Sequence, residues 1–394
     1  MKDRSKCIAA LLCTLLLCAS CSAPRPAYDA RVETAAAGAD ADPADEEKHT
    51  DPGLLSVYTG RERIIHTYAY ELLDEDLKTV YDRISEAVSE GRESVSFDDC
   101  VRPTFEQVEY IYKLIHNDDY RLLGTTNRFR YRTDKEDKVC ELRFEYLYDK
   151  EKILRMRTEL KAAADKILSG LSADMSDYDI VLYIHDSIID RTRYADSRNE
   201  NNAYGALVEK KAKCQGYSKA FCYLCAEAGI PSLTVLGMTD TEHMWNEAEI
   251  EGSYCHFDLT WDDPDDEHIA SYVKYDYFGL TDEEIENYRS IEGNIFTLPE
   301  CADDSYDYYT YNLLRVTSYD EAKALILKGY DSKKKMNIIQ MKSDEESFTE
   351  ITEALFGTGE KGIRSFLKEP GKRIDYVINS KNHVIKLFIS SSEK

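Results

Sequence analysis

Residues 213–264 constrain the fold of this chain more than any other stretch, because a helical pattern is followed there by two strand patterns. Small and apolar residues recur at helical spacing after Cys214, and Gly229 supplies a stop, which predicts one helix. Alternating segments on the two sides of Gly252 then predict a strand hairpin. A helix packed on antiparallel strands is an α+β core, and we expect the start of the helix to face the hairpin.

Three side chains in this stretch have the chemistry of a nucleophile and its activating partners. Cys214 begins the predicted helix, where the helix dipole and unpaired backbone N–H groups favour a thiolate and can hold an oxyanion. His243 and Asp258 lie on the two predicted strands, where they can be neighbours. Taken singly, the three could be a buried cysteine, a capping histidine and a turn aspartate. Together they predict a thiol enzyme.

Several sequence blocks surround these three residues in a defined order. They are Ile-His-Asp at 184–186, Ala-Tyr-Gly-Ala-Leu at 203–207, Cys-Gln-Gly-Tyr-Ser-Lys-Ala-Phe at 214–221, Gly-Ile at 229–230, His-Met-Trp-Asn at 243–246 and Phe-Asp-Leu-Thr-Trp-Asp-Asp-Pro at 257–264. Their order and spacing resemble the transglutaminase-like superfamily of cysteine enzymes, in particular its bacterial extracellular members. The resemblance implies a papain-like α+β core, in which the helix bearing the cysteine packs on an antiparallel sheet bearing the histidine and the aspartate.

The same resemblance implies roles for individual residues. Cys214 is the nucleophile, His243 the general base and Asp258 the carboxylate that orients the histidine; Tyr204 is the candidate for completing the oxyanion site. The family's chemistry is acyl transfer through a thioester, and we expect no cofactor. Water as the second nucleophile gives a protease or amidase, whereas an amine gives a crosslinking protein-glutamine γ-glutamyltransferase. A catalytically silent binding scaffold is the remaining alternative.

Two tryptophans and one further histidine lie close to these blocks. Trp245 and Trp261 follow the predicted base and its carboxylate at short offsets, and they either pack the floor of the site or stack on substrate. His185 lies among isoleucines on a predicted helix, which favours a packing role over that of a base.

The sequence predicts no metal site. Cys222 and Cys225 form a Cys-x-x-Cys pair that could be combined with Cys255 and His256 as zinc ligands. Both cysteines lie inside the predicted helix, however, where they behave as small apolar residues. A run of acids lacks the alternating ligands and distal glutamate of a calcium loop, which favours a solvated acidic loop. These acids are Asp262, Asp263, Asp265, Asp266 and Glu267.

The beginning of the chain predicts export and anchoring. A short basic stretch and an apolar run too short for a comfortable membrane span predict a signal peptide over residues 1–20. Its end resembles a bacterial lipoprotein signal leading to Cys21, although Cys18 stands where an aliphatic residue is usual. Lipidation of Cys21 would hold the protein on the outer face of the bacterial membrane, on an acidic tether over residues 21–52. An ordinary cleaved signal or a single membrane anchor is the alternative.

The rest of the chain divides into three predicted parts. These are an amino-terminal α+β module over residues 53–150, the catalytic domain over 151–300 and a carboxyl-terminal α/β accessory module over 301–394. Neither flanking module carries a reactive set of side chains, and we expect the carboxyl-terminal module to position substrate or bind partners. The formal net charge of −25 argues against nucleic acid, because such a surface repels a phosphate backbone. The expected partners are a protein or peptide substrate at the cell envelope and the membrane.

Overall fold

The structure is a computed structural model that describes residues 55–263, 275–367 and 371–391. The predicted signal peptide, Cys21 and the acidic tether lie outside the described residues. Within those three ranges, no helix combines the length and the apolar character needed to cross a membrane.

The amino-terminal part packs helices against a small antiparallel sheet. Its elements are α1 (Tyr68–Glu71), α2 (Glu75–Ser89), β1 (Ser94–Ser96), α3 (Phe105–Asp118), β2 (Thr125–Thr133) and β3 (Val139–Tyr146). The strands follow the order β1-β3-β2, and fully buried residues such as Ile84 and Ile111 form the core beneath them. Two helices rather than one precede Gly91, because Asp74 caps α2 by accepting a hydrogen bond from the backbone N–H of Leu77.

The central part contains the predicted reactive residues. Its elements are α4 (Lys150–Leu168), α5 (Asp177–Ile189), β4 (Arg193–Tyr194), a π-helical turn (Gly205–Glu209), β5 (Lys211–Ala212), α6 (Cys214–Ala228), β6 (Ser232–Met238), β7 (Glu242–Ile250), β8 (Ser253–Phe257), α7 (Leu259–Asp262), β9 (Phe278–Leu280), α8 (Asp282–Glu286) and β10 (Ser290–Ile291). Five strands form an antiparallel sheet in the order β10-β6-β7-β8-β9. Helix α6 packs on this sheet, so the predicted α+β core is confirmed.

Hydrogen bonds and a glycine stop fix α6 against the sheet. Gly229 ends the helix at a φ of +80°, a left-handed conformation that glycine adopts without strain. The amide of Asn246 on β7 donates hydrogen bonds to the carbonyl oxygens of Ser218 and Leu233, both at 3.1 Å. Because Asn246 is buried, these bonds are shielded from water and hold the start of α6 at a defined position along β7.

The strand before Asp258 is shorter than the sequence predicts. The pattern indicates a strand that continues to Thr260, but β8 ends at Phe257 and α7 follows. The reason is that Asp258 caps α7, since its Oδ1 accepts a hydrogen bond from the backbone N–H of Trp261 at 3.2 Å. Asp258 therefore lies at the junction between a strand and a helix.

The carboxyl-terminal part contains helices and a four-stranded sheet, and it packs on the central part. After a 3₁₀ turn (Asp304–Tyr306), its elements are α9 (Tyr308–Tyr311), β11 (Arg315–Val316), α10 (Tyr319–Gly329), β12 (Met336–Ser343), α11 (Glu345–Phe356), α12 (Ile363–Leu367), β13 (Lys372–Asn379) and β14 (Val384–Ser391). The sheet order is β11-β12-β14-β13. The buried Lys386 ammonium lies 2.5 Å from the Asp276 carboxylate, which joins β14 to the segment that precedes β9.

Candidate active site

His243 and Asp258 form a buried hydrogen-bonded pair. The Nε2 atom of His243 lies 2.7 Å from Oδ2 of Asp258. In the β7–β8 register Asn246 lies opposite Phe257. Extending this register by one residue places Asp258 opposite Trp245, which makes Asp258 a diagonal neighbour of His243. Asp258 is 0% exposed and His243 is 7% exposed. The predicted neighbour relation is therefore present, with a diagonal contact in place of a direct cross-strand pair.

Cys214 is the first residue of α6 and remains partly exposed. Burial is the largest single effect on the pKa of its thiol and raises it, but the hydrogen bond and charge of His243, together with neighbouring backbone N–H groups, lower the pKa below the ordinary value. The backbone N–H groups of Met244 and Gln215 act in the same direction. Lys213, the residue before the helix, provides no side-chain cap, so the first backbone N–H groups of α6 stay available to negative charge.

Gly216 allows a loop to approach the start of α6 closely. A β-carbon at this position would lie 2.3 Å from the carbonyl oxygen of Glu200 and 2.8 Å from the β-carbon of Ala212. The same carbonyl oxygen accepts a hydrogen bond from the backbone N–H of Lys213 at 2.8 Å. The glycine therefore serves close packing behind Cys214.

Arg289 is a site residue that the sequence analysis missed. Its Nη1 donates to Oδ2 of Asp258, the same oxygen that His243 contacts, and its side chain is completely buried. The guanidinium lies 5.0–5.2 Å from the ring centroids of Trp245, Trp261 and Tyr277. Burial lowers the pKa of Arg289 to about 9, so the side chain is still a cation at neutral pH. No local motif around Arg289 indicates this role, because only the fold brings it to Asp258.

The two tryptophans have different roles. Trp245 is 1% exposed and its ring stacks on that of His243 with centroids 5.9 Å apart, so it packs beneath the base and is not available to stack on substrate. Trp261 is 39% exposed and its ring meets His243 edge-on at 6.3 Å. A substrate-stacking role stays a prediction for Trp261 alone.

Tyr204 makes a contact that competes with its predicted role. Its hydroxyl donates a hydrogen bond to the Glu159 carboxylate on α4, with the two oxygens 2.5 Å apart. A contribution of Tyr204 to an oxyanion site stays a prediction and would require that bond to break.

His185 packs in the core and supports the segment that follows Asp258. The ring is completely buried, with Nδ1 3.0 Å from Asp186 Oδ1 and Nε2 3.2 Å from Asp262 Oδ2. The second carboxylate oxygen of Asp262 accepts a hydrogen bond from the backbone N–H of Tyr277. Asp262 is 0% exposed, so the prediction of a solvated acidic loop is wrong for this residue. Residues 265–267 lie outside the described residues.

The cysteines considered as zinc ligands behave as apolar core residues. Cys222, Cys225 and Cys255 are buried, and burial raises the pKa of each thiol above its ordinary value. All seven cysteines in the described part of the chain are free of disulfide bonds. Cys214 differs from these three because its thiol pKa is shifted downward.

A cysteine at a helix start, a histidine on an antiparallel sheet and an aspartate directly after the neighbouring strand define a papain-like arrangement. The model of the transglutaminase-like superfamily matches residues 161–259, which include all three side chains. The resemblance predicted from the sequence blocks is therefore confirmed, and this segment is transglutaminase-like.

Three solved structures are similar to parts of the chain. They are a TGase (12% identity, 41% of this chain and 48% of that one, TM-score 0.25), a candidate cysteine protease from Cytophaga hutchinsonii (15%, 34% and 61%, 0.23) and menin in a structure that reveals its binding site for Mixed Lineage Leukemia protein (13%, 71% and 61%, 0.25). The chain thus spans 48–61% of the length of these structures. No curated protein matches the sequence.

The Arg289 contact gives a prediction about stability. Replacing Arg289 by Met should lower the free energy of unfolding by about 3 kcal/mol or more, because it leaves the buried Asp258 carboxylate without its cation. Arg289→Lys, which keeps the charge, should lose less. Urea denaturation measures both changes. The control is Arg373→Met, which removes an exposed ion pair with Asp375 and should cost less than about 1 kcal/mol. Equal losses for the two methionine variants would contradict a supporting role for Arg289.

Proposed function

We propose that this protein is a cysteine peptidase or amidase that cleaves amide bonds in protein or cell-wall peptide through a thioester on Cys214. The observation that carries the proposal is the pairing of a low-pKa thiol at a helix start with a buried His243–Asp258 hydrogen bond. The family match over residues 161–259 supports cysteine chemistry at this position.

We infer a different role for each ring nitrogen of His243. Nε2 of His243 contacts Asp258, so Nε2 carries the proton of the neutral ring and donates a hydrogen bond to the carboxylate. Nδ1 is then the atom that exchanges a proton with Cys214. Asp258 fixes this tautomer and the ring orientation, while Arg289 holds Asp258 in place.

The proposed reaction runs in two steps. In the first, the Cys214 thiolate attacks the amide carbonyl, and the oxyanion is held by backbone N–H groups at the start of α6. The carbon–nitrogen bond breaks as Nδ1 of His243 gives its proton to the leaving amine, which leaves a thioester. In the second, His243 removes a proton from water, the resulting hydroxide attacks the thioester, and the acid leaves as the sulfur is released. Both reactive groups return to their starting states.

An assay of both outcomes tests the proposal. The full chain is incubated with a denatured protein and a fluorescent primary amine, and released peptides and labelled protein are measured. We expect peptide release that falls by about 1,000-fold or more in Cys214→Ser, because the nucleophile is lost. Cys100→Ser, which changes a thiol in the amino-terminal part, is the matched control and should retain activity.

The other results separate the alternatives. Labelled protein without peptide release would favour the crosslinking transferase. Full activity in Cys214→Ser would contradict the assignment of the nucleophile. The absence of both peptide release and labelled protein would favour a binding scaffold.

We also propose that the protein acts outside the cytoplasm, held to the membrane by lipid on Cys21. The lipoprotein-like signal and the acidic, proline-containing segment after Cys21 support this location. Growth with an alkyne fatty acid should label the wild-type chain and leave Cys21→Ala unlabelled. A wild-type chain that takes up no label would contradict the lipid anchor.

A further inference from the structure

A second polar cluster lies on the same face of the sheet as His243, further along the two strands. Glu247 on β7 is the direct cross-strand partner of His256 on β8. Asp282 at the start of α8 and Cys301 after β10 complete the group. One nitrogen, oxygen or sulfur atom from each of these four residues lies within 4.8 Å of the others. Three of the four are buried, and Asp282 is partly buried. We call this group the Glu247 cluster.

Among the described residues, the carboxyl group of Glu247 lacks the hydrogen-bond partners that a buried polar group needs. It is 0% exposed, yet neither of its carboxyl oxygens has a hydrogen-bond partner among the described residues. The nearest ring nitrogen, Nδ1 of His256, lies 3.5 Å from Oε1. A buried carboxyl group without a partner is costly, whether it is charged or neutral. The Asp282 carboxylate and the Cys301 thiol lie beside it, and a bound cation would supply the partner that the Glu247 carboxyl group lacks.

We propose that Glu247, His256, Asp282 and Cys301 bind one divalent transition-metal ion, with zinc as the preferred metal. A thiolate and an imidazole select zinc and related ions over magnesium or calcium, which prefer oxygen ligands alone. Zinc bonds of about 2.0–2.3 Å in a tetrahedral site require ligand atoms about 3.3–3.8 Å apart. The cluster meets this requirement after a contraction of about 1 Å.

The hydrogen bonds of His256 give the metal-bound state a distinct signature. Its Nδ1 accepts a hydrogen bond from Nε1 of Trp245 at 3.1 Å, and its Nε2 lies 2.9 Å from Oδ1 of Asp282. A neutral imidazole has one free nitrogen lone pair, so it cannot bind a metal and accept this hydrogen bond together. Metal binding must therefore release the indole N–H of Trp245, which changes the surroundings of a ring stacked on His243.

The predicted role of the ion is structural and differs from the chemistry of Cys214. It would join β7, which carries His243, and β8, which ends directly before Asp258, to α8 and to the segment at Cys301. No metal site is predicted from the sequence, because these ligands come from β7, β8, α8 and the segment at Cys301 and form no short motif.

Metal titration of the full chain tests the inference. Cys214→Ala is used as the background, so that the active-site thiol cannot bind metal, and the chain is freed of metal with a chelator. We expect Co²⁺ to produce thiolate-to-cobalt absorption that saturates at one ion per chain and is displaced by Zn²⁺. In the further variant Trp261→Phe, which leaves Trp245 as the only tryptophan, the fluorescence should change over the same titration.

Variants in this background identify the ligands. Cys301→Ser should abolish the thiolate absorption, and Glu247→Gln should weaken Co²⁺ binding about 10-fold or more. Cys255→Ser is the matched control, because it changes the buried thiol next to His256 on the opposite face of β8 and should leave the titration unchanged.

Three results would overturn the inference. The first is the absence of thiolate absorption when the background chain, shown to be folded by circular dichroism, is titrated with Co²⁺, and this result does not depend on any ligand variant. The second is a folded Cys301→Ser chain that keeps the absorption. The third is loss of the absorption in a folded Cys255→Ser chain.

Discussion

The carboxylate of Asp258 is the point on which the candidate site depends. It is completely buried, so its charge must be balanced by hydrogen-bond donors instead of water. His243 and Arg289 share one of its oxygens, and the backbone N–H of Trp261 contacts the other. The same side chain thus orients the proposed base, ends a strand and begins a helix. A change at Asp258 would therefore disturb catalysis and local folding together.

The environment of Cys214 follows from where these elements meet. The thiol lies at the start of α6, and α6 is fixed to β7 by the buried Asn246 amide. This attachment brings His243 at one end of β7 to the sulfur, where its hydrogen bond and charge act with the backbone N–H groups of Met244 and Gln215 to overcome the effect of burial on the thiol pKa. Burial alone has the opposite effect on Cys222 and Cys225 of the same helix. Reactivity at Cys214 is thus a property of its position in the fold.

Local sequence patterns predicted the helix and strands that carry the site. The positions of Arg289 and Asp262 depend on contacts between residues that are far apart in the sequence. The helix after Cys214 and the hairpin around Gly252 follow from periodicity and turn chemistry, so their existence could be predicted from sequence. Arg289 could not, because nothing near it in the sequence indicates that it reaches Asp258. The burial of Asp262 was missed for the same reason, since its partner His185 is on α5, far from it along the chain.

The pH dependence of Cys214 alkylation tests the central claim, that His243 holds this cysteine as a thiolate. Iodoacetamide rates are measured from pH 5 to 10, with Cys214→Ser used to subtract reaction at other thiols. A thiol with lowered pKa should titrate below about pH 8.5, where an ordinary cysteine titrates. His243→Gln should move the titration upward, because the backbone N–H groups of Met244 and Gln215 are then the remaining groups that oppose the effect of burial on the thiol pKa. A wild-type titration near pH 8.5 that does not move in His243→Gln would contradict the account.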